Sequence, residues 1–291
     1  MTRLAVSCSL FVAMVVAVGF AQDAPQGNAQ LPPKVQAWTI LDDGLASSSY
    51  EKRSKAAQVL GIIKGDPEAE SLAIKALSDE RPEVRAAAAA ALGDIGIKSA
   101  GTELHKMFKD TDITVIMASA RSLLDLGDKS GYEVYYAILT GETKTGTGLL
   151  DQQKKMLKDP QKLAQFGFEQ GIGFIPFAGI GWSAFKMLRK DDTSPILAAS
   201  AMTLADDPDA KTATALVNAS ETQKNWIVRA AALNALAKRG DPKLIKAAEE
   251  SLTDEKEEVQ YSAAAAVIHL SNIAEHSETP AKRPPAAKKK R

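Results

Sequence analysis

Three histidines, one cysteine and scattered carboxylate pairs are the stock from which this 291-residue chain could build a reactive centre. A metal site needs His, Cys, Asp or Glu at ligand spacing, and His105, His269 and His276 have no such spacing. Gly179-Ile180-Gly181-Trp182-Ser183-Ala184 fits the loose dinucleotide pattern G-x-G-x-x-A, but no strand precedes it. Ser183 lacks the second glycine of a nucleophile elbow. Asp42-Asp43, Asp191-Asp192 and Glu249-Glu250 fall at turns or on helix faces, with no companion acid or base that the sequence places beside them. The expectation is a non-enzyme with no cofactor, no metal and no small-molecule substrate.

What remains are residues that bind through burial or through charge. Residues 166–188 hold five of the eight phenylalanines, one of three tryptophans and five of nineteen glycines. Ile175-Pro176-Phe177-Ala178-Gly179 interrupts this run, which predicts two apolar helical arms folded back on each other. Phe166, Phe168, Phe174, Phe177, Trp182 and Phe185 are the candidate contacts to a partner or a membrane. Three readings stay open: packing against the rest of the chain, docking of a protein on an apolar patch, or shallow insertion into a membrane. Arms of about 10 to 12 residues reach only roughly 15 to 18 Å, half a bilayer core, and Glu169 lies within the run.

The second binding candidate is the C-terminal tail. Lys282, Arg283, Lys288, Lys289, Lys290 and Arg291 are interleaved with Pro and Ala, a composition that predicts disorder. Setting these six and Arg3 aside leaves 29 basic against 36 acidic residues, so an acidic body hides behind a net charge of zero. The tail either contacts a polyanion such as lipid head groups, wall polymer or nucleic acid, the last the least expected, or stays solvated against the acidic body. It also resembles a nuclear-localisation patch, but the N-terminus reads as an export signal, which contradicts that reading. There Arg3 precedes an apolar run from Leu4 to Phe20, and Gly19-Phe20-Ala21 presents the small-x-small pattern of a cleavage site. Export to the periplasm or beyond a bacterial cell is expected, with an uncleaved anchor as the competing reading.

The elements that must position these segments repeat every 31 to 32 residues. Starting from Arg53, Arg85, Ile116, Leu197, Arg229 and Gln260, three residues on stand Ala56, Ala88, Ser119, Ser200, Ala232 and Ala263, all small. Seven residues on stand Leu60, Leu92, Leu123, Leu204, Leu236 and Val267, all aliphatic. A small residue four positions before an aliphatic one makes a notched helical stripe that admits a close neighbour. The starting positions are 32, 31, 81, 32 and 31 apart, so about 50 extra residues interrupt the series between the third and fourth repeats. Forty-nine alanines and 5% aromatic residues fit the same all-helical picture of closely approaching small side chains.

The punctuation fits two helices per period. Asp66-Pro67, Asp207-Pro208 and Asp241-Pro242 predict capped starts of first helices. Asp79, Asp110 and Asp254 stand before second helices as expected caps, and Gly93, Gly96, Gly127 and Gly240 are expected to close them.

Glu83-Val84-Arg85-Ala86-Ala87-Ala88-Ala89-Ala90-Ala91-Leu92-Gly93-Asp94-Ile95-Gly96 resembles the second helix of a HEAT repeat, of the short bacterial HEAT_2 or phycobilin-lyase-like type. Ile227-Val228-Arg229-Ala230-Ala231-Ala232-Leu233-Asn234-Ala235-Leu236 is a second copy, and the other four are degenerate. The resemblance implies an α-α superhelix of about six helix pairs whose second helices line a concave face. It also implies scaffold work, holding other proteins, with lyase-like subunits as the enzymatic branch of the family. The expected organisation is a signal peptide at 1–21, a polar linker at 22–33, repeats one to three at 34–140, the apolar hairpin insertion at 141–190, repeats four to six at 191–276 and a basic tail at 277–291. The expected function is an exported scaffold that binds a protein through its concave face and aromatic hairpin. A peripheral membrane protein is the first alternative and a lyase-like subunit the second.

Overall fold

The computed structural model describes residues 31–140 and 194–278, with side chains described throughout except at 136–140, 195–196 and 278. The predicted signal peptide, the hairpin insertion and the basic tail from residue 279 onward lie outside the described residues, while 277 and 278, set at the start of that tail, end the last helix. Every regular element among the described residues is helical. In chain order they are α1 (Pro33–Leu45), α2 (Tyr50–Val59), α3 (Pro67–Ala76), α4 (Pro82–Ile95), α5 (Gly101–Lys106), α6 (Ile113–Asp125) and α7 (Gly131–Thr140). After the insertion come α8 (Ser194–Leu204), α9 (Ala210–Thr222), α10 (Trp226–Arg239), α11 (Ile245–Glu250) and α12 (Glu257–Glu278).

The helices start and stop where local chemistry requires. Asp66 accepts hydrogen bonds from the Glu68 and Ala69 amides at the head of α3, with Pro67 in the first turn, and Asp241 accepts from the Lys243 amide. At Asp207-Pro208 the start shifts: Asp209 caps α9, while Asp207 holds the Asp209 amide and the Thr212 hydroxyl. Gly96, Gly127 and Gly240 have φ of 83°, 86° and 66°, the left-handed closure expected. Gly93 does something else. It lies inside α4, and a Cβ there would sit 2.5 Å from Ser122 Oγ and 2.8 Å from Ser122 Cα, so its missing side chain is what lets α6 approach.

The predicted stripe is the core. Ala56, Ala88, Ser119, Ala232 and Ala263 are fully buried, as are Leu60, Leu92, Leu123, Leu236 and Val267. Each such Leu contributes on the order of 1.5–3 kcal/mol by leaving water. Only α8 departs: Leu197, Ser200 and Leu204 are exposed, and the stretch that would supply a first helix for this repeat lies outside the described residues.

The repeats do not stack in the order in which they are written. Helices α2, α4 and α6 pack side by side, α7 covers α6, and α8, α10 and α12 form a second row with α9 and α11 behind them. The rows join through the two halves' inner ends: α12 packs along α1 and touches α2. Lys34 Nζ lies 2.7 Å from Glu275, Lys52 Nζ 2.6 Å from Glu257, Lys55 Nζ 2.5 Å from Glu258, and Asn272 Nδ2 2.6 Å from Asp66. These contacts make α1 antiparallel and α2 parallel to α12. In space the order is therefore four, five, six, one, two, three. The 53 residues of 141–193 do not interrupt the middle of the stack but connect its two ends, α7 and α8.

Candidate functional site

The feature that repeats most faithfully at the edges of the second helices is an arginine clamp. Arg53 donates to both carboxylate oxygens of Asp79, from Nε at 2.7 Å and Nη2 at 2.9 Å, and its Nη1 donates to the Ser47 and Ser48 carbonyls. Arg85 repeats the arrangement on Asp110 at 2.7 and 2.7 Å, with the Asp79 and Glu80 carbonyls beneath it. Arg229 repeats it on Asp254 at 2.8 and 2.8 Å, with the carbonyls of Gln223 and Lys224. Each arginine thus ties the turn ahead of its own helix to the same turn of the next repeat. The planar fork of guanidinium suits a carboxylate and two carbonyls at once, which an ammonium would not.

These clamps are largely shielded, with side chains 8–14% exposed on both partners. The Arg53 guanidinium beside Asp79 holds that carboxyl below the usual range against the opposing push of burial. Asp79, Asp110 and Asp254 also accept from the amides of Arg81, Asp112 and Lys256, which stand just ahead of α4, α6 and α12. They fold the turns before these helices and do not cap them as expected: the N-cap of α4 is Arg81, without a side-chain cap, and that of α6 is Asp112, which accepts from the Thr114 amide. The sequence carried the signal as a spacing: arginine to aspartate is 26, 25 and 25 residues. Position Gln260 keeps only part of the device, its Nε2 donating to the Asp254 carbonyl at 2.6 Å.

With the stripe buried and the turns clamped, the remaining face of the second helices carries the residues five and nine positions after each register start. In α4 and α6 it is open: Ala90, Asp94, Arg121 and Asp125 are exposed. Asp206, in the turn just past α8, and Lys238 of α10 are exposed and paired at 2.7 Å. In α10 and α12 the face closes. Val228 through Ala237 are buried without a break, and Asn234, 4% exposed, has neither amide atom hydrogen-bonded. His269, half-buried, has no partner at Nδ1, and burial together with Lys64 pushes its pKa down.

One surface trio resembles catalytic geometry without its surroundings. His105 Nδ1 is 2.7 Å from the Gly101 carbonyl and Nε2 is 2.9 Å from Ser130 Oγ and 3.5 Å from Asp128. Asp128 in turn accepts from the Ser130 amide, and the Ser130 bonds lower its pKa. Both His105 and Asp128 side chains are 42% exposed, so the trio acts as a strut tying α5 to the start of α7. No group of three or more His, Cys, Asp or Glu among the described residues could hold a metal ion. No described helix is long and apolar enough to cross a membrane.

The candidates Phe166, Phe168, Phe174, Phe177, Trp182 and Phe185 lie outside the described residues, as do Lys282, Arg283, Lys288, Lys289, Lys290 and Arg291. The acidity expected of the body holds for the described stretches, which carry 21 Lys and Arg against 29 Asp and Glu.

Among solved structures, the chain is similar to the complex of CpcE and CpcF of phycocyanin lyase from Nostoc sp. PCC7120, at 21% identity over 88% of this chain and 98% of that one, with a TM-score of 0.33. It is similar to human deoxyhypusine hydroxylase at 18% identity, over 82% and 88% of the two chains, TM-score 0.28. A third similarity, at 11% identity over 84% and 99%, TM-score 0.23, is to the archaeal HEAT-like repeats protein from Thermococcus onnurineus NA1. No curated protein matches the sequence. The profile of the HEAT repeats, HEAT_2, matches residues 40–124 and 183–268, more than half of the chain and on both sides of the insertion. Its matches carry all three arginine clamps and both rows of second helices, and the chain belongs to the HEAT-repeat family.

Proposed function

We propose that this protein is an exported, non-enzymatic scaffold that holds a protein partner on the open face of its second helices. The observation that carries the reading is the contrast across α4 and α6. One side of each helix is buried and clamped, while Ala90, Asp94, Arg121 and Asp125 stand in solvent on the other. A face carried on a rigid, clamped backing loses little backbone entropy when a partner covers it. Repeat stacks offer such extended surfaces rather than enclosed clefts. In this reading the aromatic segment 166–188 adds an apolar grip.

The test is a pull-down from the native envelope fraction with three baits: the wild type, an Ala90→Arg/Arg121→Glu variant, and a chain lacking 166–188. A stoichiometric partner retained by the wild type and lost with the face variant supports the proposal. Equal capture by the wild type and the face variant refutes it. Sequencing the N-terminus of the protein from its host tests export, with Gln22 expected as the first residue.

A further inference from the structure

We propose that the seam between α12 and the α1–α2 pair is a self-sufficient, salt-sensitive interface between two modules, 32–140 and 194–278, so that the modules stay together without the covalent connection between them. The partner of each module is the complementary half of the same chain.

Three observations carry this. First, the seam joins residues 203 to 241 apart in sequence, and only the 141–193 connection links the two modules covalently. Second, it has its own close packing. A Cβ on Gly44 would lie 2.8 Å from both Ala56 Cβ and the Tyr261 ring, so α1 fits between α2 and α12 only because residue 44 has no side chain. Ala37 and Leu41 on α1, and Ala263 to Ile268 on α12, are fully buried around that point.

Third, the seam is fastened by different chemistry from its neighbours. Junctions within a module use the shielded arginine clamp at Arg53, Arg85 and Arg229. The α8–α10 junction, where Leu197 and Gln223 stand at the clamp positions, uses Arg239, which donates to the carbonyls of Leu204, Asp207 and Asp209, and a single exposed ion pair, Lys238 with Asp206. At the seam the clamp positions hold Gln260 and Ser47, and three lysine–glutamate pairs stand instead, with side chains 19–61% exposed. Pairs open to water are screened by salt, whereas shielded ones are screened far less. The seam is therefore the junction that ionic strength loosens first.

The experiment uses the full chain with a specific protease site placed after Thr145, cut after purification. At 50 mM NaCl the cut protein is expected to scatter light as one particle with unchanged helical circular dichroism. Raising NaCl to 500 mM should weaken the apparent Kd of the halves by roughly tenfold. Lys52→Glu/Lys55→Glu should weaken it at least as much at 50 mM, and adding Glu257→Lys/Glu258→Lys should restore it, which separates a lost latch from a damaged fold. Separation or loss of helicity on cutting at 50 mM would overturn self-sufficiency. A Kd indifferent to salt and to the charge reversals, or a reversal that the swapped pairs do not rescue, would overturn the latch.

Discussion

Replacing Arg229 with Met tests the clamp at its most shielded copy. The Arg229 side chain is 8% exposed, makes two bonds of 2.8 Å to Asp254, itself 12% exposed, and donates to the Gln223 and Lys224 carbonyls. Methionine keeps much of the packing volume but strands the Asp254 carboxylate, whose remaining bond is the Lys256 amide. Removing one partner of a buried pair costs about 3–5 kcal/mol, against a total stability on the order of 5–15 kcal/mol for a domain. With a urea slope of about 2 kcal/mol/M, the unfolding midpoint should fall by roughly 2 M. Replacing both partners, in Arg229→Met/Asp254→Leu, should return stability to within about 1 kcal/mol of the wild type, because no charge is left buried alone. Urea titrations followed by circular dichroism measure all three proteins. A single variant that loses less than about 1 kcal/mol would show that the clamp is a surface decoration and refute the argument.

Asn234→Leu removes two buried polar atoms without partners and should stabilise the protein by about 1–3 kcal/mol, read as a higher urea midpoint. Gly93→Ala should cost about 1–3 kcal/mol, because its Cβ collides with backbone and side chain of Ser122. Alkali should loosen the seam. Burial, then Glu257 and Glu258, push the Tyr261 phenol up to about 12, so the folded state favours the neutral ring. That contribution is complete below about pH 10 and is lost as pH rises towards 12, a decline visible as a falling melting temperature that Tyr261→Phe should reduce. In acid the sign is opposite: Asp79 is held below its usual pKa by Arg53, so its contribution is present above about pH 4 and fades as pH falls further.

The repeat, its register and its helical content were legible because the core needs a small residue and an aliphatic one at fixed places, and Ala88 with Leu92 or Ala232 with Leu236 state that locally. The capping aspartates were legible only in part. Asp79, Asp110 and Asp254 have local amides to hold, but their strongest partners are arginines 25 or 26 residues earlier, beyond any local rule. Gly93 read as a helix end because its packing against Ser122 is a tertiary demand. The stacking order was not legible at all. A period says that repeats can pack on one another, not which ends meet, and the paired loss of arginine at Gln260 and of aspartate at Ser47 is no marker of the seam, because Leu197 and Gln223 lose both at the ordinary α8–α10 junction. The open face could be assigned once the clamps had fixed which side of each helix is buried.

The stacking order is the claim on which the rest depends, and a distance tests it directly. Spin labels on Lys34→Cys and Glu275→Cys, in a Cys8→Ser chain, would sit at the two sides of the seam. Pulsed electron resonance should report a separation under about 25 Å. A stack in sequence order, with α1 and α12 five repeats apart at roughly 8–10 Å each, would place them about 40–50 Å apart, and that result would contradict the account.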